Sequence, residues 1–235
     1  MLTAPPPAPS LQTRSLREQV YEHLRAEMAR GSLAEGSFVD LDAIAGALGV
    51  SRTPLREALL QLAHEGFVTI LPRRGFLIHP LTADDIRHFY EIIGALEAAA
   101  LRSVGHLLTP ERLAVMRRLN DDMGRAVEVD DFDAYYALNL AFHDTWLALS
   151  DNTRLKAQVA SLKQRLYDWP RRYSFVKAWE ERSIHGEHQR LLDLLEAGDV
   201  DGAARHLQDV HWSYLAQSTF IRDYYFPPEP PPPSP

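Results

Sequence analysis

Between Ser15 and Arg30 apolar residues recur at every fourth position, at Leu16, Val20, Leu24 and Met28, which predicts a helix with one slowly drifting buried stripe. Gly31 ends it. After the segment SLAEGS, Leu41, Ile44, Ala45 and Leu48 form a two-turn apolar face closed by Gly49, a residue suited to a left-handed cap. In SRTPLREALLQLAHEGF, Leu55, Ala58, Leu59 and Leu62 turn inward while Arg52, Thr53, Arg56 and Gln61 turn outward. Ser51 or Arg52 stands where a cap belongs, Pro54 suits a first helical turn, and Gly66 stops the helix. Val68 and Ile70, then Phe76 and Ile78, flank PRRG as two short strands about a tight turn. From Thr82 onward the pattern is helical throughout. Thr82 and Asp85 make a capping box for a helix to Val104, and Thr109 with Pro110 opens another that fades near Val129. Further helices are expected over 132–149, 153–169, 179–197 and 199–218. The fold class is mainly α: three helices and a hairpin, then an antiparallel bundle of six to seven helices.

Composition narrows the function classes. The chain has 235 residues, 46% hydrophobic and 24% charged, which suits two soluble domains. No apolar run approaches the roughly 20 residues a membrane span needs. The absence of cysteine excludes disulfide scaffolds, thiolate zinc sites, cysteine proteases and iron–sulfur clusters. The start MLTAPPPAPS lacks the basic and apolar regions of a secretion signal, so a cytoplasmic location is expected. Proline tracts predict disordered tails over 1–10 and 227–235, leaving domains over 11–80 and 81–226. A net charge of −7 opposes bulk attraction to nucleic acid. The charge is uneven, however. Residues 11–80 hold eight Arg, no Lys and eight acids, whereas residues 81–226 hold 17 basic and 23 acidic groups. Arg52, Arg56, Arg73 and Arg74 share a stretch whose only acids are Glu57 and Glu65, so a local basic face is expected.

Two helices joined by a short glycine-containing turn, the second with exposed Arg and Thr at its start, meet the needs of a helix-turn-helix. Its second helix enters the major groove by the N-terminal end, where peptide N–H groups favour phosphate and Arg forks grip guanine. Ser51, Arg52, Thr53 and Arg56 lie at that end. The hairpin supplies a wing with Arg73 and Arg74 at its tip and Gly75 permitting close approach to the duplex. By spacing alone, an amphipathic helix with a solvated arginine face explains SRTPLREAL equally well. The segments LREQVYEHLRAEMARGSLAEGS, LDAIAGALGVSRTPLREALLQLAHEGFV and PRRGFLI together resemble the winged helix-turn-helix of the GntR family of bacterial transcription regulators, over residues 14–80. The resemblance implies that Arg52, Thr53 and Arg56 contact double-stranded operator DNA, with Arg74 and Gly75 at the wing.

In the second domain Asn139 and His143, four apart in NLAFHDTWLALSDN, emerge on one helical face. His188 and His211 fall on two later helices. Three imidazoles and one oxygen donor suit a divalent cation in a bundle core, and zinc, nickel, manganese and iron all stay open. A lone histidine is more often a satisfied core or surface group. Glu97 in YEIIGALEAAA, the NLAFH and SDN elements, GEH, and the last helix from AGD to the final His resemble the FCD effector domain of FadR-type members of the family, over residues 82–215. The resemblance implies a metal held by Asn139, His143, His188 and His211 beside a small-molecule effector, commonly a carboxylate. Asn139 stands where Asp is frequent and gives a neutral, weaker ligand. His211 comes one residue later than the usual spacing, with Val210 in the expected place. A shift in the intervening loop would compensate, and His206 is the weaker substitute. Ile93 occupies the position where many relatives carry an effector-gripping Arg. This leaves Glu97, Arg102 and Arg165 as pocket candidates, with Arg154 a further source of charge. Trp146, Trp169, Tyr167 and Tyr135 are expected to be core or pocket lining.

The reading that follows is a homodimeric regulator on a palindromic operator, with no membrane partner. Two rivals belong to other classes. One is a metal-dependent hydrolase or lyase using His143, His188 and His211 with Glu187 as base, although no HExxH motif is present. The other is a protein-interaction bundle in which metal and small molecules leave DNA affinity unchanged.

Overall fold

The computed structural model describes residues 14–167 and 177–226; the two proline tails and Trp169 lie outside them. The chain divides into two compact units at Pro80 and Leu81.

In the first unit, α1 (Leu16–Ala29) begins at a capping box in which the Ser15 hydroxyl accepts from the Glu18 N–H and the Glu18 carboxylate accepts from the Ser15 N–H. It buries Val20, Leu24 and Met28, but Leu16 in its first turn is half exposed, so the stripe is one residue shorter than its periodicity predicts. Helix α2 (Leu41–Leu48) is capped by Asp40 and closed by Gly49 at φ 64°, a left-handed conformation that glycine adopts without strain. Helix α3 (Arg52–His64) buries Leu55, Ala58, Leu59 and Leu62 completely. Truncating any of these leucines to alanine costs about 2–5 kcal/mol.

Strands β1 (Val68–Leu71) and β2 (Gly75–Ile78) pair antiparallel, with Val68 opposite Ile78 and Leu71 opposite Gly75. The chain ahead of α2 is more ordered than the loop its sequence predicts. The Val39 N–H donates to the Phe76 carbonyl at 2.8 Å and the Ile78 N–H to the Ser37 carbonyl at 2.9 Å, adding a short third line to the hairpin.

The second unit is helical throughout. Its long helix α4 (Ala83–Val104) starts at the Thr82–Asp85 capping box and buries Ile86, Tyr90, Ile93, Ala98 and Leu101. It is followed by α5 (Pro110–Glu128), α6 (Phe132–Leu147) and α7 (Thr153–Tyr167). Helix α4 packs on α6, α7 and the later α10 (Val200–His206) and α11 (Tyr214–Tyr225), which makes it the axis of the bundle.

Two helices depart from simple periodicity. Helix α8 (Lys177–Arg182) runs through a π-helical turn, Ser183–His188, into α9 (Gln189–Glu196). Helix α10 runs into a second π turn, Leu207–His211, closed by the Trp212 N–H donating to the Leu207 carbonyl five residues back at 2.9 Å. The single helix expected over 199–218 therefore breaks at Trp212. Ser213 caps the restart, its hydroxyl accepting from the Ala216 N–H, and α11 continues to Tyr225. Among the described residues no helix is long and apolar enough to cross a membrane.

Candidate functional site

Helix α3 begins at Ser51, whose side chain makes no capping bond. Ser51, Arg52, Thr53 and Arg56 are all exposed, as are Arg73, Arg74 and Gly75 at the hairpin tip. The tip owes its shape to two residues with positive φ, Arg73 at 62° and Gly75 at 102°. The arginines are held by neighbours that sequence reasoning did not single out. Arg52 donates from Nε and Nη2 to one oxygen of Asp42, at 2.6 and 2.5 Å, with both side chains about two-thirds exposed. The Arg56 guanidinium lies 5.6 Å from the Phe76 ring centre and that of Arg74 lies 5.0 Å from Phe38. Asp42 carries no local signal of this role, because it sits ten residues before Arg52 and on another helix.

In the second unit, the side chains of His143, His188 and His211 converge, with one ligand atom of each within 4.8 Å of the others. Each imidazole is oriented through Nδ1. His143 Nδ1 lies 2.7 Å from Glu97 Oε2, His211 Nδ1 lies 3.0 Å from Glu187 Oε2, and His188 Nδ1 lies 3.1 Å from Asn120 Oδ1. A carboxylate can only accept, so His143 and His211 carry their proton on Nδ1. Asn120 Nδ2 donates to the Ile184 carbonyl at 3.0 Å, which leaves Asn120 Oδ1 to accept from His188 in the same way. The Nε2 lone pairs are thereby left for another partner. Burial pushes His143 down to about 3 and holds His188 well below the usual imidazole range, so both stay neutral at ordinary pH. His143 Nε2, His188 Nε2 and the Asn139 Oδ1 one turn before His143 are buried without a hydrogen-bond partner. Leaving three such acceptors dry costs about 1–3 kcal/mol each.

The extra residue ahead of His211 is absorbed inside the helix, by the π turn Leu207–His211, and not by the loop shift the spacing suggested. His206 stays apart from the cluster, its Nε2 donating to the Glu187 carbonyl at 2.9 Å.

Two pocket candidates need correction and one is placed in the core. Glu97 is fully enclosed and its oxygens are occupied by His143, by the Trp212 indole N–H at 3.2 Å and by the Lys163 ammonium at 2.5 Å. It orients the cluster and is not among the residues that line the chamber beside it. Arg102 is exposed and pairs with Asp201 at 3.5 Å, and Arg154 is exposed as well. Arg165 is buried in α7. The buried cation beside the cluster is Lys163, which no spacing signal marks because its partner Glu97 lies on another helix far away in the chain.

Beside the histidines lies a chamber lined by fourteen residues of which nine are aromatic. Tyr135 and Tyr167 belong to this lining, whereas Trp146 is core, stacked at a tilt 5.0 Å from His143. Asn139 and His211 connect chamber and cluster. Glu180 and Glu187 are its acidic lining. Glu187 accepts from His211, from Gln217 at 2.6 Å and from Arg182 at 3.2 Å, and these donors hold its carboxyl below the usual range. So engaged, it cannot serve as the free base that the hydrolase reading requires.

Family comparison agrees with both units. Residues 16–78 match the model for bacterial regulatory proteins of the gntR family, and residues 88–210 match the FCD domain. The Nta operon transcriptional regulator of Aminobacter aminovorans is 32% identical over 162 residues, covering 68% of this chain and 74% of its own. An HTH-type transcriptional regulator in an unstable DNA locus of Streptomyces ambofaciens is 29% identical over 188 residues, covering 80% and 78%. Among solved structures, E. coli McbR/YncC shares the fold with a TM-score of 0.65 at 24% identity, over 90% of this chain and all of that one. The chain belongs to the GntR family of bacterial transcription regulators, pairs its winged helix-turn-helix with an FCD domain as the FadR subfamily does, and is not an enzyme.

Proposed function

We propose that this regulator binds a palindromic operator as a homodimer and that a divalent cation and a small molecule, bound in its FCD domain, alter its affinity for DNA. In this reading Arg52, Thr53 and Arg56 read base edges from the start of α3, Ser51 and the α3 N-terminus meet phosphate, and Arg73, Arg74 and Gly75 press the wing onto the adjoining groove. Two heads are needed because a neutral head with few cationic contacts binds weakly by itself, and joining two multiplies affinity through effective concentration.

The observation that carries the sensing half is the set of buried acceptors without partners, His143 Nε2, His188 Nε2 and Asn139 Oδ1, beside three imidazoles pinned through Nδ1. That pattern is what a metal asks of its outer partners, which fix tautomer and ring orientation before the ion arrives. Asn139, His143, His188 and His211 would hold the cation, and three nitrogens with one neutral oxygen suit zinc, nickel, manganese or iron. When bound, the ion supplies a positive centre for a donor atom of the small molecule.

The test is metal analysis of the full chain and of His143→Ala, both refolded or purified in the presence of each metal in turn. Near-stoichiometric metal in the parent and little in the variant is the expected result. Equal, negligible metal in both overturns the metal assignment. For the DNA half, Arg52→Ala and Arg56→Ala are expected to weaken operator binding by about 1–3 kcal/mol each and to relax base preference. Unchanged affinity and preference in both would overturn it.

A further inference from the structure

We propose that Phe38 is a positioning residue for DNA binding: its ring holds the Arg74 guanidinium at the tip of the wing and presents it to the sugar-phosphate chain with charge and donors intact. The inference rests on the reading of the wing as part of the DNA-binding surface and adds to that surface a residue from outside the hairpin.

Phe38 belongs to the short line of chain that pairs with β2. The Ile78 N–H donates to the Ser37 carbonyl and the Val39 N–H to the Phe76 carbonyl, so Phe38 stands opposite Leu77. Phe76 and Ile78 are buried, and Leu77 between them turns to the other face, where alternation places Phe38 as well. Burial does not account for this ring. It is 44% exposed, whereas Val39 beside it is in the core. Against it lies Arg74, whose guanidinium is 5.0 Å from the ring centre. That is inside the roughly 6 Å over which a cation is drawn to an aromatic face.

The kind of partner decides what the arginine can still do. Arg52 is held by Asp42, which takes two of its N–H donors and offsets its charge. The Arg74 guanidinium makes no ion pair and no hydrogen bond among the described residues. Attraction to a ring uses the charge and not the donors, so all five N–H groups stay open to phosphate oxygens. A long side chain already restrained in the free protein also loses less freedom on binding. Arg73, its neighbour, has no ring, ion-pair or hydrogen-bond partner for its side chain among the described residues, so Arg74 is the tip arginine that is set in place. The same device recurs on α3, where Arg56 lies 5.6 Å from the Phe76 ring centre. Phe76 is 3% exposed and belongs to the core, so Phe38 is the ring that can be changed without opening the interior.

The probe is a duplex selected from a random-sequence pool by the parent protein, with binding read by fluorescence anisotropy. Phe38→Leu keeps an apolar side chain opposite Leu77 and removes the ring, whereas Phe38→Tyr keeps both. Phe38→Leu is expected to weaken binding about two- to fivefold for each head, and Phe38→Tyr to stay within about twofold of the parent. In an Arg74→Ala background Phe38→Leu is expected to have no further effect. Equal binding by Phe38→Leu and the parent overturns the proposal. So does an equal loss in the Arg74→Ala background, which would make Phe38 a packing residue of the wing. If Phe38→Leu does not melt cooperatively, the parent alone decides: side-chain protons of Arg74, identified by their loss in Arg74→Lys, are expected to be shifted upfield by the ring in nuclear magnetic resonance spectra, both free and with the duplex bound. Ordinary positions for them overturn the proposal. The DNA reading fails in a different way. Unchanged affinity in Arg74→Ala would remove the wing from DNA binding and this role with it, whereas a loss in Arg74→Ala without one in Phe38→Leu removes the role of Phe38 alone.

Discussion

Glu180 is a carboxyl that folding makes harder to ionise. Burial raises it to about 7, against the opposing effect of the Tyr135 hydroxyl and with a smaller contribution from Glu187. A folded value above the unfolded one of about 4.5 means the folded state holds a proton that the unfolded state gives up between pH 4.5 and 7. The associated stability is fully present below about pH 4.5 and is lost as pH rises through 7. Glu180→Gln, which cannot ionise, is therefore expected to be more stable than the parent at pH 8 by about 1–3 kcal/mol and to lose that advantage at pH 5. Urea unfolding at the two pH values measures this; an equal difference at both would show that the carboxyl does not titrate with folding. Asp42 sets a different balance on the first unit. It holds Arg52 at 2.5 Å and presents a negative charge close to where the proposed DNA contact brings phosphate. Asp42→Asn is expected to strengthen binding to scrambled DNA more than to the operator, narrowing discrimination several-fold, as competitive shift assays would record. At this scale the sequence displayed residue types and not partners. His143, His188 and His211 stand out by type and spacing, but the groups that orient them, Glu97 and Asn120, are 46 and 68 positions away along the chain. Lys163 in a helix of ordinary amphipathic pattern gave no sign of being buried.

Helix ends were legible where their signals are local. The Thr82–Asp85 box, the Thr109–Pro110 start and the Gly49 cap each act within one turn, and each marks a real boundary. Gly186 lies inside the first π turn but does not by itself mark one. The break at Trp212 was not legible, because no proline and no glycine stands between Leu207 and Ser213 and its cause is tertiary. Gly94 on α4 shows that cause. A Cβ there would lie 2.8 Å from the Trp212 Cβ, so only glycine lets the two backbones approach this closely. The approach brings the Trp212 indole onto Glu97 and sets His211, its neighbour, among the other imidazoles. Gly94→Ala is expected to destabilise the chain by about 1–3 kcal/mol, since packed backbone must shift. It is also expected to lower metal content more than a core substitution of equal cost does, for example Leu192→Ala on α9. Thermal unfolding together with metal analysis checks both; destabilisation with full metal content would show that the close approach serves packing alone.

For the whole molecule, charge and linkage restrict how the two sites can cooperate. The first unit is neutral by count and the second carries nearly all the surplus acid, so long-range attraction contributes little and DNA affinity must come from local contacts. In the proposed dimer, four arginines per head and two heads would give eight cationic contacts, which limits the slope of log affinity against log salt to about −7. A steeper slope would mean that other cations engage, and a slope near −3 would mean that one head binds at a time. Sensing has a stricter requirement. If occupation of the metal site changes operator affinity by some factor, operator DNA must change the affinity of the metal site by the same factor, because both paths join the same four states. A typical coupling is 5–150-fold, about 1–3 kcal/mol. Calorimetric titration of zinc into the regulator, free and saturated with operator, is therefore expected to give affinities that differ by the ratio seen when DNA binding is measured with and without zinc. Ratios that disagree beyond error would mean that zinc also touches DNA or the reading heads, and the FCD metal site would no longer be the place from which the signal comes.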